Sequence, residues 1–381
     1  MKISIVSHQF PTRAEPSVGT FILDHYNLIK SHLDARVVNP VPYKLPFSEA
    51  QKKARSAPFH SPEAEKVQYF SLPGRKFPGL MTLDLQRKTI PVIRKHQPDI
   101  VHIHWAYPDG LLIPECKRRG WRVVLSIHGS DWTRNRERKQ VYRRIVPAIL
   151  QADKILTVGK KLKESILEEL PQLENRVEFL PNAIDTSYFR PGRLQQTGKS
   201  DQKTKVLCVA KIRRVKGIDV LLDAIEKLPN PEEFEFNIIG HTDNSPYCRH
   251  QLNRIKEMTP VVKLYPPVSH ENLLSWYQQS DFFVLPSRTE GFGIVLAEAA
   301  SCGLPLVATR SGGPEDIINK QNGLLAEPEN PESLKQSILQ MAKRVHQYDS
   351  QQIRNSIVER FDQNIIRNKL LYIYKKIAEK N

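Results

Sequence analysis

Cysteine is scarce and scattered. Cys116, Cys208, Cys248 and Cys302 are the four in 381 residues, and no two form a Cys-x-x-Cys pair. That argues against a zinc site or a disulfide framework and fits a reducing cytosol. Long apolar runs are missing as well: none approaches the ~20 residues that a membrane-spanning helix requires. The N-terminal MKISIVSHQF is too short and interrupted for a signal peptide and reads as a first buried strand, so the chain is expected to stay where it is made. There is no Asp-x-Asp metal motif, and no basic strand interleaved with aromatics of the kind that reads nucleic acid.

What is present points to a large, ordinary globular chain. At 381 residues it exceeds what one hydrophobic core usually serves, which predicts two domains. An apolar share of 40% with many periodic segments marks an ordinary globular protein. The net charge of +16 is uneven: residues 1–190 hold 31 Lys and Arg against 19 Asp and Glu, a balance of +12, which leaves +4 for the rest. KRRGWR (117–122) and RNRERKQVYRR (134–144) concentrate it. Such runs are commonly solvated faces. The functional alternatives are an anionic membrane surface or an acidic acceptor, with nucleic acid the weakest.

Apolar runs and helical patterns alternate along the chain. Strands are predicted at 2–7, 35–41, 99–105, 122–129, 154–159 and 177–182, with amphipathic helices at 19–32 and 160–170. Residues 42–80, rich in Pro, Lys and Ser, read as a long surface excursion. The polar stretch 192–203 is taken as a linker between an N-terminal domain, 1–191, and a C-terminal one, 204–360. The second series has strands at 204–212, 235–240, 261–267, 281–287, 304–310 and 322–328, and helices at 219–228, 270–279, 293–302 and 331–345. An amphipathic helix in 361–381 closes the chain and is expected to pack back toward the N-terminal domain. The predicted class is α/β: two doubly wound, Rossmann-like domains facing a central cleft, with ligands beyond the carboxyl ends of the strands.

Chemistry concentrates in TEGFGIVLAEAASCG (289–303), where Glu290 and Glu298 flank a short loop and the start of a helix. A helix N-terminus offers free N–H groups and the positive end of its dipole, and Gly291 and Gly293 let an anion approach closely. Two acids separated by about one and a half turns could hold hydroxyls on either side of a diphosphate. The plainer alternative is a pair of acids favouring the helix dipole. A dinucleotide fingerprint is disfavoured, because the third glycine is missing and the segment falls late in its domain.

In this setting the chain resembles glycosyltransferase family 4, retaining enzymes of the GT-B fold. The resemblance is carried by Glu290-x7-Glu298 within EGFGIVLAEAASCGLPLVATRSGGPEDII, by ADKILTVGKKLKE, VEFLPNAIDTSYFRP, VAKIRRVKGIDVLLDA, FNIIG and SDFFVLPSRTEGFG in order, and by the closing ERF and IYKKI. It spans nearly the whole chain. It implies that Lys211 and Lys216 neutralise the donor diphosphate, although Lys211 stands where Arg is usual and Ala210 where Gly is usual. It implies that Glu290 binds hydroxyls of the donor sugar, that the backbone of Gly291, Phe292, Gly293 and Ile294 lies near sugar and diphosphate, and that Glu298 binds the ribose. Gly240 and Val268 are placed near the base, and Gly19 on the loop facing the reaction centre, with Val18 where a second glycine is often found. His128, in IHGSD, corresponds to a histidine near the anomeric carbon. Catalytic roles thus fall to His128, Glu290 and Lys216.

His104, Trp105 and Asp109, in HIHWAYPDG, together with Asp131, are the acceptor candidates. Enzymes of this fold generally need no metal, and no prosthetic group is implied. The implied donor is a nucleotide-diphosphate sugar, a UDP-sugar in preference to a GDP-sugar. IHGSDW and HWAYPDG resemble bacterial surface-polysaccharide transferases of the teichuronic-acid type, which implies a glycan or polyprenyl-diphosphate-linked acceptor. The expected location is cytoplasmic, peripheral on the inner face of an anionic membrane. The alternatives are an inactive sugar-nucleotide or glycan-binding module, and a GT-B epimerase or phosphorylase.

Overall fold

Continuous runs of buried residues decide the architecture. β1 (Lys2–Val6), β4 (Ile100–His104) and β5 (Arg122–Ile127) are buried along almost their whole length, as strands of a parallel sheet covered on both faces must be. The computed structural model describes residues 1–11, 18–43, 64–71, 78–192 and 203–379. Most of the expected linker 192–203, and residues 44–63 and 72–77 of the expected excursion, lie outside that set.

The first unit comprises Met1–Ala183 and Ile366–Asn381. With β2 (Asp34–Tyr43), β3 (Ala64–Phe70), β6 (Lys154–Thr157) and β7 (Val177–Phe179), its strands form one parallel sheet in the order β3-β2-β1-β4-β5-β6-β7. β3 and the long helix Pro78–His96 correct the reading of 42–80 as surface excursion throughout. AEKVQYF escaped notice because an edge strand alternates polar and apolar residues instead of running apolar. The C-terminal helix Gln363–Ala378 inserts Ile366, Leu370, Ile373, Tyr374 and Ile377 into a core with Ile3, Ile5, Ile22, Val37 and Leu156. Each such apolar side chain contributes about 1.5–3 kcal/mol on burial.

The second unit is Ile184–Ile365. β8 (Thr204–Val209), β9 (Phe234–Ile239), β10 (Val262–Tyr265), β11 (Phe282–Leu285), β12 (Leu306–Thr309) and β13 (Gly323–Ala326) pair in the order β10-β9-β8-β11-β12-β13. The units divide at Ala183, ahead of the polar stretch chosen from sequence, because residues 184–191 are bound into the second unit. The Ile184 N–H donates to Phe361 O at 2.8 Å, and Arg354 donates to Thr186 O and Phe189 O at 2.7 and 2.8 Å. Phe189 is buried against Tyr277.

In both sheets the strand order reverses direction beside the first strand, at β1/β4 and at β8/β11. Loops leave such a switch point in opposite directions and open a crevice at the carboxyl ends, where ligands bind. The arginines of the basic runs, among them Arg118, Arg119, Arg134, Arg136 and Arg138, are exposed on the outside of the first unit. Among the described residues, no helix is long and apolar enough to cross a membrane.

Candidate active site

At the β8/β11 switch point two loops are tied together before any ligand arrives. β11 runs out through Pro286 and Ser287, and the helix Ile294–Ser301 begins at Gly293, whose φ of 96° lies in the left-handed region. No side chain caps that helix, so its first amides are left for an anion. The backbone of Glu290 is clamped to the loop after β12: its N–H donates to Ser311 O at 2.9 Å, and Gly313 N–H donates to its carbonyl at 2.8 Å. A Cβ at Gly313 would stand 2.3 Å from Phe292 Cα, so only glycine permits this approach.

The Glu290 side chain meets Lys216, whose Nζ donates to Oε2 at 2.5 Å, and Ser287, whose hydroxyl donates to the same oxygen at 3.2 Å. Lys216 is delivered by a tight turn ending at Gly217, where φ is 66° and a Cβ would come within 1.9 Å of Pro286 O. Arg288 staples the two loops. Its guanidinium grips Asp219 with two bonds of 2.8 Å and donates to Arg214 O at 2.7 Å, while its backbone N–H donates to Val215 O at 2.9 Å. Burial would raise the Asp219 carboxyl, but the Arg288 and Tyr247 hydrogen bonds outweigh it and hold the group below the usual carboxylate range. Sequence reading missed Arg288 and Ser287; their places directly beside the motif were the available signal.

Lys211 sits on the loop after β8, and a Cβ at Gly240 would be 1.8 Å from Ala210 O, so that loop runs hard against the end of β9. His241, also unanticipated, lies alongside; burial first, then Lys211 and Arg213, push its imidazole below its ordinary value. Val268 is half-buried on the loop between β10 and the helix His270–Gln279. The Phe292 side chain packs edge-on against Phe361 in the interior, so this residue can offer a ligand only its backbone. Glu298 is 3% exposed and engaged on both oxygens, by the Tyr277 hydroxyl at 2.9 Å and by His270 Nε2 at 2.8 Å. The sequence had marked Glu298 as an open hydroxyl acceptor. The structure makes it the base of a network whose exposed member is His270, although each carboxylate oxygen keeps a second lone pair.

The first unit builds its polar cluster from strand register. Residues two apart on a strand share a face, so His102 and His104 of β4 point the same way, and His104 is paired with Ser126 of β5. His128 continues the row two residues beyond Ser126. The rings of His102, His104 and His128 stack successively at 4.5 and 5.2 Å, within 17° and 12° of parallel. His104 Nδ1 lies 3.0 Å from His128 Nε2. His102 bonds the Tyr374 hydroxyl at 2.5 Å and Ser126 Oγ at 2.8 Å, and His25 meets the same Tyr374 hydroxyl at 3.1 Å. Burial depresses His25 to about 4; burial reinforced by neighbouring imidazoles depresses His128 to about 3 and pushes His102 and His104 well below their ordinary value.

One nitrogen each from His25, His102 and His104 lies within 4.8 Å of the others, close enough to be tested as a metal site. Both His102 nitrogens are already engaged, by the Tyr374 hydroxyl and Ser126 Oγ. The arrangement is that of a hydrogen-bonded stack of neutral rings. It borders a cavity of about 490 Å³, counting its open mouth, lined also by Phe21, Asp24 and Asn182.

Asp131, expected to contact an acceptor, is buried and engaged by the backbone. Its two oxygens accept the backbone N–H groups of Ala106 at 2.7 Å and His128 at 2.9 Å. Buried there, its carboxyl is pushed up to about 6 even though those hydrogen bonds act to lower it. It shapes the loops carrying Trp105 and His128. Trp105 is nearly buried, has a positive φ of 81° and packs on His128 at 4.6 Å. Asp109 is fully buried at the head of the turn Asp109–Leu112. Gly19 takes the left-handed conformation at the start of the helix Thr20–Ile29, and a Cβ there would be 2.5 Å from Gln9 O.

Two doubly wound units, the second with a helix N-terminus, a lysine–glutamate pair and a glycine clamp at its switch point, define a sugar-transferring enzyme of the GT-B class. Residues 203–344 match the family described as glycosyl transferases group 1, and residues 46–188 match glycosyltransferase family 4. An uncharacterised glycosyltransferase of Methanocaldococcus jannaschii is 30% identical over 254 residues, covering 66% of this chain and 67% of the relative. The N-acetyl-α-D-glucosaminyl L-malate synthase of Bacillus anthracis is 26% identical over 289 residues, 73% of this chain and 75% of that one. Anabaena HepE, solved with UDP-glucose, superposes with a TM-score of 0.75 at 16% identity over 99% of this chain and 100% of HepE. The chain belongs to glycosyltransferase family 4 and is a glycosyltransferase.

Proposed function

We propose that this enzyme transfers a hexose, with retention, from a nucleotide-diphosphate sugar to a glycan or lipid-linked glycan in surface-polysaccharide synthesis. The observation that carries the donor side is the Lys216–Glu290 pair beside the uncapped helix Ile294–Ser301. A lysine and free helix amides stabilise the charge that develops on a departing nucleoside diphosphate. Glu290, held by Lys216 and Ser287, accepts hydroxyls of the donor sugar as a positioning group. Lys211 adds charge near the diphosphate, Gly240 and Val268 border the base, and Glu298 reaches the ribose directly or through His270. His128 meets the sugar near its anomeric carbon, where a neutral imidazole tolerates developing positive charge.

HepE's complex with UDP-glucose favours a UDP-sugar. The α-glucosaminyl product named for the Bacillus anthracis relative favours retention, since an α-linked nucleotide sugar yielding an α-product keeps its configuration. No metal takes part in this scheme. The exposed arginines of the first unit suit peripheral attachment to an anionic membrane; vesicle binding that does not weaken with salt would count against attachment. The test of the donor is a thermal-shift panel of UDP, GDP, ADP and their sugars. A ligand that binds only the folded state at 100 times its Kd stabilises by about 2.7 kcal/mol. No shift with any of them would sink the reading.

A further inference from the structure

The cavity beside the histidine stack is enclosed by one unit alone. It measures about 490 Å³ counting its open mouth, and every residue that lines it belongs to the first unit. Its closed end is small beside the mouth, with room for a few heavy atoms, so it takes a substituent and not a whole sugar ring. Leu180, Ile366 and Leu370 supply an apolar wall continuous with the core of the unit.

The polar part of the wall is underused. His104 lines the cavity, and its Nε2 is buried without a hydrogen-bond partner among the described residues. Asn182, half-buried, lines it too, and its side-chain amide makes no hydrogen bond among the described residues. Orphaned buried polar atoms are rare in folded proteins and call for a partner. One nitrogen of the His104–His128 contact donates and the other accepts, so the tautomer leaves His104 Nε2 as an acceptor or a donor. The Asn182 amide offers both. No lysine or arginine is among the lining residues, whereas Asp24 is, and burial keeps His25, His104 and His128 neutral. A phosphate or carboxylate would find no counter-charge there, so the guest is uncharged.

We infer that this cavity is a subsite for the acetamido group of an N-acetylated amino sugar. The group has three parts, and the wall answers each. Its methyl meets the aliphatic side chains, while its N–H and carbonyl are shared between His104 and Asn182. A sugar hydroxyl in the same place would bring no methyl to the apolar wall, and an acyl chain would leave both polar side chains unanswered. The sugar that carries the group is either the acceptor or the donor, and the recognised chemistry is the same. Its place in the reaction rests on the glycosyltransferase reading, whereas binding of the group requires no turnover.

The experiment titrates the full chain with methyl N-acetyl-β-glucosaminide and with methyl β-glucoside, which carries a hydroxyl in place of the acetamido group. Nitrogen-15 spectra of the histidine rings, with His104→Phe assigning His104, and thermal shifts read binding in wild type, Asn182→Leu and Ala183→Leu. The expected result is saturable movement of the His104 resonances by the acetamido glycoside, with affinity about tenfold or more above that of the glucoside. Asn182→Leu should lose about tenfold in that affinity and keep the thermal shift by UDP. Ala183→Leu narrows the cavity without removing a polar group and should abolish binding. A loss of kcat/KM in Asn182→Leu confined to UDP-N-acetylglucosamine, with UDP-glucose unaffected, puts the group on the donor. Stimulation of nucleotide release by the acetamido glycoside, lost in Asn182→Leu, puts it on the acceptor; both results support the subsite. Equal affinity for the two glycosides, or wild-type affinity in both variants, overturns it and leaves the glycosyltransferase reading standing. Selective binding of the acetamido glycoside without nucleotide release from any donor overturns that reading instead, and the subsite stands as a binding site.

Discussion

At the carboxyl ends of the second sheet the polar groups are charged and paired: Lys216 with Glu290, Arg288 with Asp219. At the same ends of the first sheet they are imidazoles, stacked, buried and kept neutral. The sequence charge runs the other way, since most of the net +16 belongs to the first 190 residues. That charge sits on the outside of the first unit, and its strand ends carry almost none. Net charge therefore tells little about which unit holds an anion. The pairs of the second unit keep some exposure, 14–27% of each side chain, which limits the desolvation penalty while they still present a field to a diphosphate. The neutral rings of the first unit can be packed among apolar side chains because a neutral imidazole brings no charge of its own to desolvate.

The comparison can be broken most sharply at its charged end. Lys216→Met should lower kcat/KM by about 10²–10³-fold, as removal of a donor that stabilises transition-state charge does. The equivalent loss at the neutral end, His104→Phe, should be smaller, and steady-state kinetics on both variants would reveal a reversed order. Gly217→Ala comes next. Its Cβ would overlap Pro286 O, and strain of this kind typically costs about 1–3 kcal/mol, read as a lower denaturation midpoint together with weaker donor binding.

Acid should distinguish the units. His25 and His128 are depressed from 6.5 to about 4 and about 3 in the fold. The unfolded chain therefore binds more protons between pH 6.5 and those values, and stability falls as pH drops through that window, by about 3–5 kcal/mol per histidine. Asp131, raised from 3.8 to about 6, works in the opposite sense: the folded state holds the extra proton, so acidification from about 6 to 3.8 restores some stability. Chemical denaturation across this range should show the first unit losing stability before the second; simultaneous loss would contradict the neutral-ring reading. The smallest effect belongs to Tyr277→Phe, which removes one bond to Glu298 and should cost about 1 kcal/mol, provided His270 keeps the carboxylate satisfied.

Much of this was legible in the chain. Among the described residues, twelve of the thirteen strands coincide with apolar runs seen in the sequence, because strands buried on both faces must be apolar throughout. β3 was not, since an edge strand need not be. The helices Pro246–Glu257 and Ser350–Phe361 also went unread: their exposed faces are strongly polar and their buried residues, such as Cys248, Ile353 and Ile357, are few and spaced. Glu290, Lys216 and the glycine loop were legible as a local pattern. Arg288's grip on Asp219 spans 69 positions and His8's bond to Asp109 spans 101, and no local pattern announces such pairs.

The sequence by itself determined the two alternating series, the helix start at Gly293 and the identity of the groups near it, because periodicity and loop chemistry are local properties. Tertiary structure alone decided what those groups do to one another. Asp131 is consumed by backbone amides, Glu298 is shared by Tyr277 and His270, and His8 is set against a buried carboxylate. The reason is physical: a carboxylate's role depends on which donors reach it and how much water is left, and both are set by strands that meet across the sheet.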